Sequence, residues 1–251
     1  MSIYSKYTYT ESCIVGTYEI DAQKRMRIPA LVRRMQEAAM QNVLEMKVSL
    51  WDLEVHQLSW VLMRLRVDIH RLPRLGEPLR IITYPSGFER LFTYRDYKVV
   101  DENNQLIASA PSTWLLMDTA KRRMARIPDF ILAKEMPDES RCLPRVRNPL
   151  PEFKDSHFSN SFQVHWHDLD FNEHLNNVIY IQKMIDTVPA VLLQEASPSQ
   201  FDILYRAEAR WKDELLSEVQ EVDEQTLLHR LRRPSDNKVL ALARSRWKRE
   251  E

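Results

Sequence analysis

Apolar residues recur at helical spacing in two places along the chain and with a period of two through most of the rest. Leu31, Val32, Met35, Ala38, Ala39, Val43 and Met46 fall on one face of a 3.6-residue helix. Pro29, whose fixed φ and missing N–H are tolerated in a first turn, is placed to begin that helix. A strand-like run, Tyr7 to Ile20, precedes it. After it, Val61, Met63, Leu65, Val67 and Ile69 alternate with Leu62, Arg64, Arg66, Asp68 and His70, which is the period of a strand. Further strands are expected at 79–84, 90–100 and 105–117, the last two joined by a turn at 101–104. The order then repeats. A strand at about 160–167 leads through a polar stretch into a helix with Val178, Ile181, Ile185 and Val188 on one face, bent at Pro189. Strands follow at about 201–211, 215–221, 225–232 and 238–247, with the last hairpin turning at 234–237.

Between the two repeats the texture changes. Residues 131–157 carry Pro137, Pro144, Pro149 and Pro151, mixed charge and no sustained periodicity, the pattern of a linker laid across a surface. The chain therefore divides into 1–130, a linker at 131–157, and 158–251. Each half reads as one long helix held in the curve of about five largely antiparallel strands, an α+β arrangement.

Composition narrows the function classes. The 251 residues can bury a sizeable core, and 36 basic residues balance 36 acidic ones, so net charge points to no nucleic-acid partner. Cys13 and Cys142 stand far apart with no Cys-x-x-Cys or His-x-x-His neighbour, which argues against a zinc site and against a disulfide framework and fits a cytoplasmic location. The first seven residues show no apolar run with a cleavage site, and no stretch of about 18 apolar residues occurs, so neither secretion nor a membrane span is expected. With only three glycines, at 16, 76 and 87, a Gly-rich phosphate loop and a dinucleotide fingerprint are excluded, and no cofactor is expected.

Chemistry concentrates in one block, Asp168-Leu-Asp-Phe-Asn-Glu-His-Leu-Asn-Asn177. Asp168 and Asn176 suit turn and capping roles. Capping does not account for the rest, because polar groups without partners are costly to bury. Asp170, Asn172 and His174 alternate, and on an extended segment all three side chains would point the same way, placing a proton carrier between a carboxylate and an amide.

This block, running into Val178-Ile-Tyr-Ile181, resembles the Asp-Leu-Asp-x-Asn-x-His-x-Asn-Asn-x-x-Tyr-Ile motif of the acyl–acyl carrier protein thioesterases. Leu58 to Glu77 is similar to that family's Trp-Val…Arg…Pro…Gly-Asp strand pair, and Tyr205-Arg-Ala-Glu208 to its Tyr-Arg-x-Glu strand. The resemblance covers nearly everything except the linker. It implies two tandem hotdog domains, each a long helix wrapped by a sheet. It also implies hydrolysis of the thioester between a fatty acyl chain and the phosphopantetheine arm of acyl carrier protein, ending fatty acid synthesis. The implied catalytic set is Asp170, Asn172, His174 and Glu208. Glu208 or His174 can serve as general base, and Asp170 can orient the site or attack the thioester directly. Backbone N–H groups around Asn176 and Asn177 are placed to polarise the carbonyl. Plant members often carry Cys after the strand glutamate, whereas this chain has Ala209, so no thiolate is expected in the mechanism.

Bland readings stand beside these. Glu208 shares an expected strand face with Arg206 and Arg210, which suits a solvated ion-pair ladder. His165 and His167 read as surface or packing residues, and the stripe of the first helix as plain core. The first half has Asp21-Ala-Gln-Lys-Arg25 where the second has its motif, so 1–130 is expected to shape the acyl pocket without doing chemistry. Two other functions stay open: a dehydratase or hydratase of acyl thioesters, and a non-catalytic acyl-thioester sensor. Arginines at 64, 66, 71, 74, 80, 122, 123 and 126 suggest a surface for an acidic carrier protein. A homodimer is left open.

Overall fold

In the computed structural model, Pro29 sits in the first turn of α1 (Ile28–Glu45), which buries Leu31, Val32, Met35 and Ala38. Residues 7–134 and 142–249 are described, so the reading of the first six residues and of Pro137 lies outside them. Before α1, β1 (Tyr9–Ile14) ends at a 3-10 turn over Thr17–Glu19 rather than running on to Ile20, because the Glu19 carboxylate accepts the Gly16 N–H at 2.8 Å and closes the chain on itself. After α1 come α2 (Leu50–Glu54), β2 (Leu58–Ile69), β3 (Pro78–Glu89), β4 (Phe92–Val100) and β5 (Leu106–Asp118). β3 runs five residues past its expected end, through a bulge between Pro85 and Gly87. Gly87 has φ 140°, and a Cβ there would lie 3.0 Å from Arg145 Nη2, so glycine lets the bulge form beneath the linker.

Two short elements follow: β6 (Arg123–Ala125), paired with β5, and α3 (Asp129–Leu132), which runs two residues into the expected linker. The second half follows as β7 (Phe158–Gln163), a 3-10 turn at Trp166–Asp168, α4 (Asn177–Ile185), α5 (Ala190–Glu195), β8 (Ala196–Tyr205), β9 (Glu214–Asp223), β10 (Thr226–Arg233) and β11 (Lys238–Arg249). Its helix is not one bent rod. α4 stops at Asp186, and Pro189 precedes a separate α5, since proline's missing N–H and ring do not suit a helix interior.

The strand order is β1-β3-β4-β5-β2-β8-β11-β10-β9-β7. Each half thus repeats the same five-strand order, and β2 pairs antiparallel with β8 to fuse the two into one sheet. α1 and α4 share a core in which Leu31, Val32 and Met35 pack with Val178, Ile181 and Met184. Each such side chain contributes roughly 1.5–3 kcal/mol when fully buried. The architecture is the α+β double hotdog. No described helix is long and apolar enough to cross a membrane.

Candidate active site

The two halves hold the same loop in front of their helices. Asp170 Oδ1 accepts the backbone N–H groups of Asn172 and His174 at 2.8 and 3.2 Å, and the Asp170 N–H donates to the His174 carbonyl. Asp21 Oδ1 accepts those of Gln23 and Arg25, both at 2.9 Å, and its N–H donates to the Arg25 carbonyl. Glu173 and Lys24 occupy the matching left-handed position, with φ 61° and 62°. Asp170, Asn172 and His174 therefore lie on a tight turn and not on an extended segment. The carboxylate folds the backbone around itself, an Asx-type arrangement that simple alternation does not reveal.

What differs is the residue at the end of the turn. Arg25 is buried and spans to the second half, donating to the Ala196 carbonyl and to Ser197 Oγ at 3.2 and 2.8 Å. His174 instead turns its Nε2 to Glu208 Oε2, 3.2 Å away, with the histidine side chain 26% and the glutamate 45% exposed. Glu208 is not on the expected strand. β8 ends at Tyr205, and 206–209 run irregularly, with Arg206 and Ala207 N–H groups both donating to the Leu240 carbonyl. The ion-pair ladder does not form, since Arg206 pairs with Glu152, and Glu208 is met by His174 and, at 3.8 Å, by Arg122 from the first half.

Tyr180 fixes the Glu208 segment in a way sequence reasoning missed. Its hydroxyl accepts the Ala209 N–H and donates to the Ala207 carbonyl, both at 3.1 Å, so it bridges the two residues flanking Glu208. Burial pushes the Tyr180 phenol pKa up, which keeps that donor protonated. The spacing of Tyr180 after the polar block was visible, but its partner lies 29 residues away.

Asp168 and Asn176 make capping bonds, Asp168 to the His165 N–H and Asn176 Oδ1 to the Val178 N–H. The Asn176 N–H is spent on the Asp168 carbonyl. Of the backbone donors expected at the helix start, this leaves Asn177. His165 and His167 are exposed. Ala209 is fully buried. Cys13 lies on β1 with its thiol pKa pushed up by burial, and Cys142 donates to the Ser86 carbonyl, so neither thiol belongs to this constellation.

A cavity of about 220 Å³ opens beside the turn. Asp170, Phe171, Asn172, Asn176 and Asn177 line it from the second half, and the rest of the lining comes from the first half, chiefly Met40, Val43, Met46, Trp60, Phe88 and Ile131. The outer part of the α1 stripe, Ala39, Val43 and Met46, is thus cavity wall rather than plain core. The lining is mostly apolar, and Gln36, Thr93, Arg95 and Lys134 add polar side chains from the first half to Asp170 and Asn172 from the turn that carries His174.

Models of the acyl-ACP thioesterase N-terminal and C-terminal domains match residues 6–134 and 152–249. An acyl-[acyl-carrier-protein] hydrolase from Cuphea viscosissima is 24% identical over 259 residues, covering 96% of this chain and 62% of its own length. An oleoyl-acyl carrier protein thioesterase from Arabidopsis thaliana is 26% identical over 230 residues, covering 82% and 61%. The chain thus spans about three fifths of the length of these plant relatives, both chloroplastic by name. Among solved structures, a 12:0-ACP thioesterase from Umbellularia californica superposes with TM-score 0.86 at 20% identity, covering all of both chains. An acyl-ACP thioesterase from Bacteroides thetaiotaomicron gives 0.83 at 21%, covering 96% and 98%. With both halves matched in sequence by the two domain models, and the same fold in these structures, the chain belongs to the acyl-ACP thioesterase family.

Proposed function

We propose that this protein hydrolyses fatty acyl thioesters of acyl carrier protein, using Asp170, Asn172, His174 and Glu208. The observation that carries the reading is the contact of His174 with Glu208 at 3.2 Å, His174 standing on the turn whose Asp170 and Asn172 line a mostly apolar cavity. In the scheme, the acyl chain lies in the cavity shaped mainly by the first half and the pantetheine arm leaves past Phe171. Glu208 accepts from His174 Nε2–H, which fixes the tautomer and leaves Nδ1 as the acceptor. A water on the exposed side gives its proton to Nδ1 as its oxygen adds to the acyl carbon. The resulting oxyanion is met by Asn172 and the start of α4. The C–S bond then breaks, and the proton passes from Nδ1 to the departing thiolate, giving free acid and thiol. Asp170, with one oxygen committed to the turn, holds His174 in place.

The proposed carrier surface follows from which arginines are already paired. Arg64, Arg66, Arg71 and Arg80 are already paired with Asp202, Asp68, Glu77 and Asn104. Arg122, which reaches Glu208 at 3.8 Å, and its exposed neighbours Arg123 and Arg126 are the proposed contact for an acidic carrier. A cytoplasmic location, as read from the sequence, belongs to this same proposal.

A panel of acyl carrier proteins of varied chain length, assayed for free acid, tests the reading. Hydrolysis is expected, and kcat/KM should fall as the Debye length shrinks past about 8 Å. The same acyl group on pantetheine alone should show little salt dependence. Because Arg122 touches Glu208, the charge-reversal variant is Arg123→Glu with Arg126→Glu, expected to raise KM for the carrier only. Equal salt dependence of both substrates would remove the electrostatic carrier surface, and crotonyl-thioester hydration without hydrolysis would replace the hydrolase by a hydratase.

A second expected result concerns the thiols. The double variant Cys13→Ser, Cys142→Ser should keep most of its turnover, because the base route needs no thiolate. Loss of turnover in a folded double variant would restore a cysteine mechanism.

A further inference from the structure

The side chain of Gln36 is unexplained by packing. Gln36, in the middle of α1, lines the cavity, and its Nε2 is enclosed with no hydrogen-bond partner among the described residues. A buried amide donor left unpaired is costly, so such a group is ordinarily either removed or supplied with an acceptor. The neighbouring α1 residues that share this wall, Ala39, Met40 and Val43, offer none, while Asp170, Asn172, Asn176 and Asn177 close the same space from the second half. A saturated acyl chain entering this cavity brings one acceptor, its thioester carbonyl oxygen.

We infer that the Gln36 side-chain amide donates a hydrogen bond to that carbonyl oxygen, making the first half a contributor to the reaction centre and not only to the acyl pocket. The inference rests on the thioesterase reading above. It also resolves a shortage: with the Asn176 N–H spent on Asp168, the oxyanion formed by water addition would otherwise have the Asn172 amide and the Asn177 N–H alone. The donor on α1 becomes satisfied only with substrate bound, and most strongly as charge develops on the oxygen, which is where a hydrogen bond accelerates the step.

The test is Gln36→Met, an unbranched side chain of similar length without a donor. Removing one oxyanion donor is expected to lower kcat about a hundredfold with little change in KM. The melting temperature should stay level or rise, because an unpaired buried amide has been removed. A non-hydrolysable ketone analogue of the acyl-pantetheine should bind the variant more weakly than the parent, whereas the thioether analogue, which lacks the oxygen, should bind both alike. A folded Gln36→Met protein with kcat within about threefold of the parent would overturn the inference, as would equal weakening of both analogues, which would mark Gln36 as a packing residue. Parent protein that hydrolyses no acyl carrier would fail the underlying reading instead, so the two failures are separable.

Discussion

His174→Ala is expected to lower thioester hydrolysis by at least about a hundredfold, the scale of one lost acid–base group, while the protein melts close to its original temperature. The imidazole is part-exposed, and its ion pair is with the half-exposed Glu208, so its loss should cost on the order of 1 kcal/mol or less of stability. Asp170→Ala should match that loss of turnover for a different reason. Its carboxylate accepts two backbone N–H groups of the turn, so the variant releases the loop that carries His174, with a stability cost resembling a lost cap, about 1 kcal/mol. Asp170→Asn separates the two roles. An amide oxygen can still accept both N–H groups, so the turn should persist; any remaining loss then measures the negative charge on the cavity wall. Steady-state rates with thermal melts on the same preparations decide the matter, and a folded His174→Ala variant retaining more than a tenth of parental kcat would remove His174 from the assigned role.

Much of this site was legible because its chemistry is local. Asp170, Asn172 and His174 fall within five residues, and their polar types are unusual just before an apolar helix. Their geometry was less legible, because alternation suggested an extended segment whereas the Asp170 side chain folds the backbone into a turn. Glu208 could be placed only through resemblance, since its loop position depends on Tyr180 clasping both flanking residues across the fold. The strand pattern located nearly every β element, for period-two burial is imposed by one-sided packing. It missed β6, and it failed at β1 and β7, which stop at Ile14 and Gln163 before 3-10 turns, at β3, where a glycine bulge carries the strand on, and at β8, which starts earlier and stops before Glu208. The part-cavity, part-core character of α1 was invisible, as apolar residues face a void and a neighbour with the same periodicity. In sequence Arg25 only ends the stretch that stands where the second half has its motif; the fold shows that this first-half copy of the turn is a bridge to α5 and β8.

The largest stability effect is expected at the seam between the halves. Where β2 pairs with β8, Arg64 donates from Nε and Nη2 to the two oxygens of Asp202 at 2.9 and 2.8 Å, with Asp202 fully buried. Its third arm, Nη1, donates to the Asn148 carbonyl at 2.6 Å and holds the linker over the seam. A two-pronged pair in a low-dielectric interior is costly to assemble, yet removing one partner is costlier because the other charge stays buried alone. Arg64→Met should therefore destabilise the chain by about 3 kcal/mol, at the low end of the range for broken buried pairs, because Arg244 lies 3.8 Å from Asp202 and compensates in part. Urea titration should show a lower midpoint with the slope unchanged. The double variant Arg64→Met, Asp202→Leu should recover a large share of the loss, since matched apolar side chains can replace a buried pair at little net cost. If Arg64→Met alone cost less than about 1 kcal/mol, strand pairing and the shared core of α1 and α4 would be sufficient to hold the halves together, and the pair would serve only to anchor the linker.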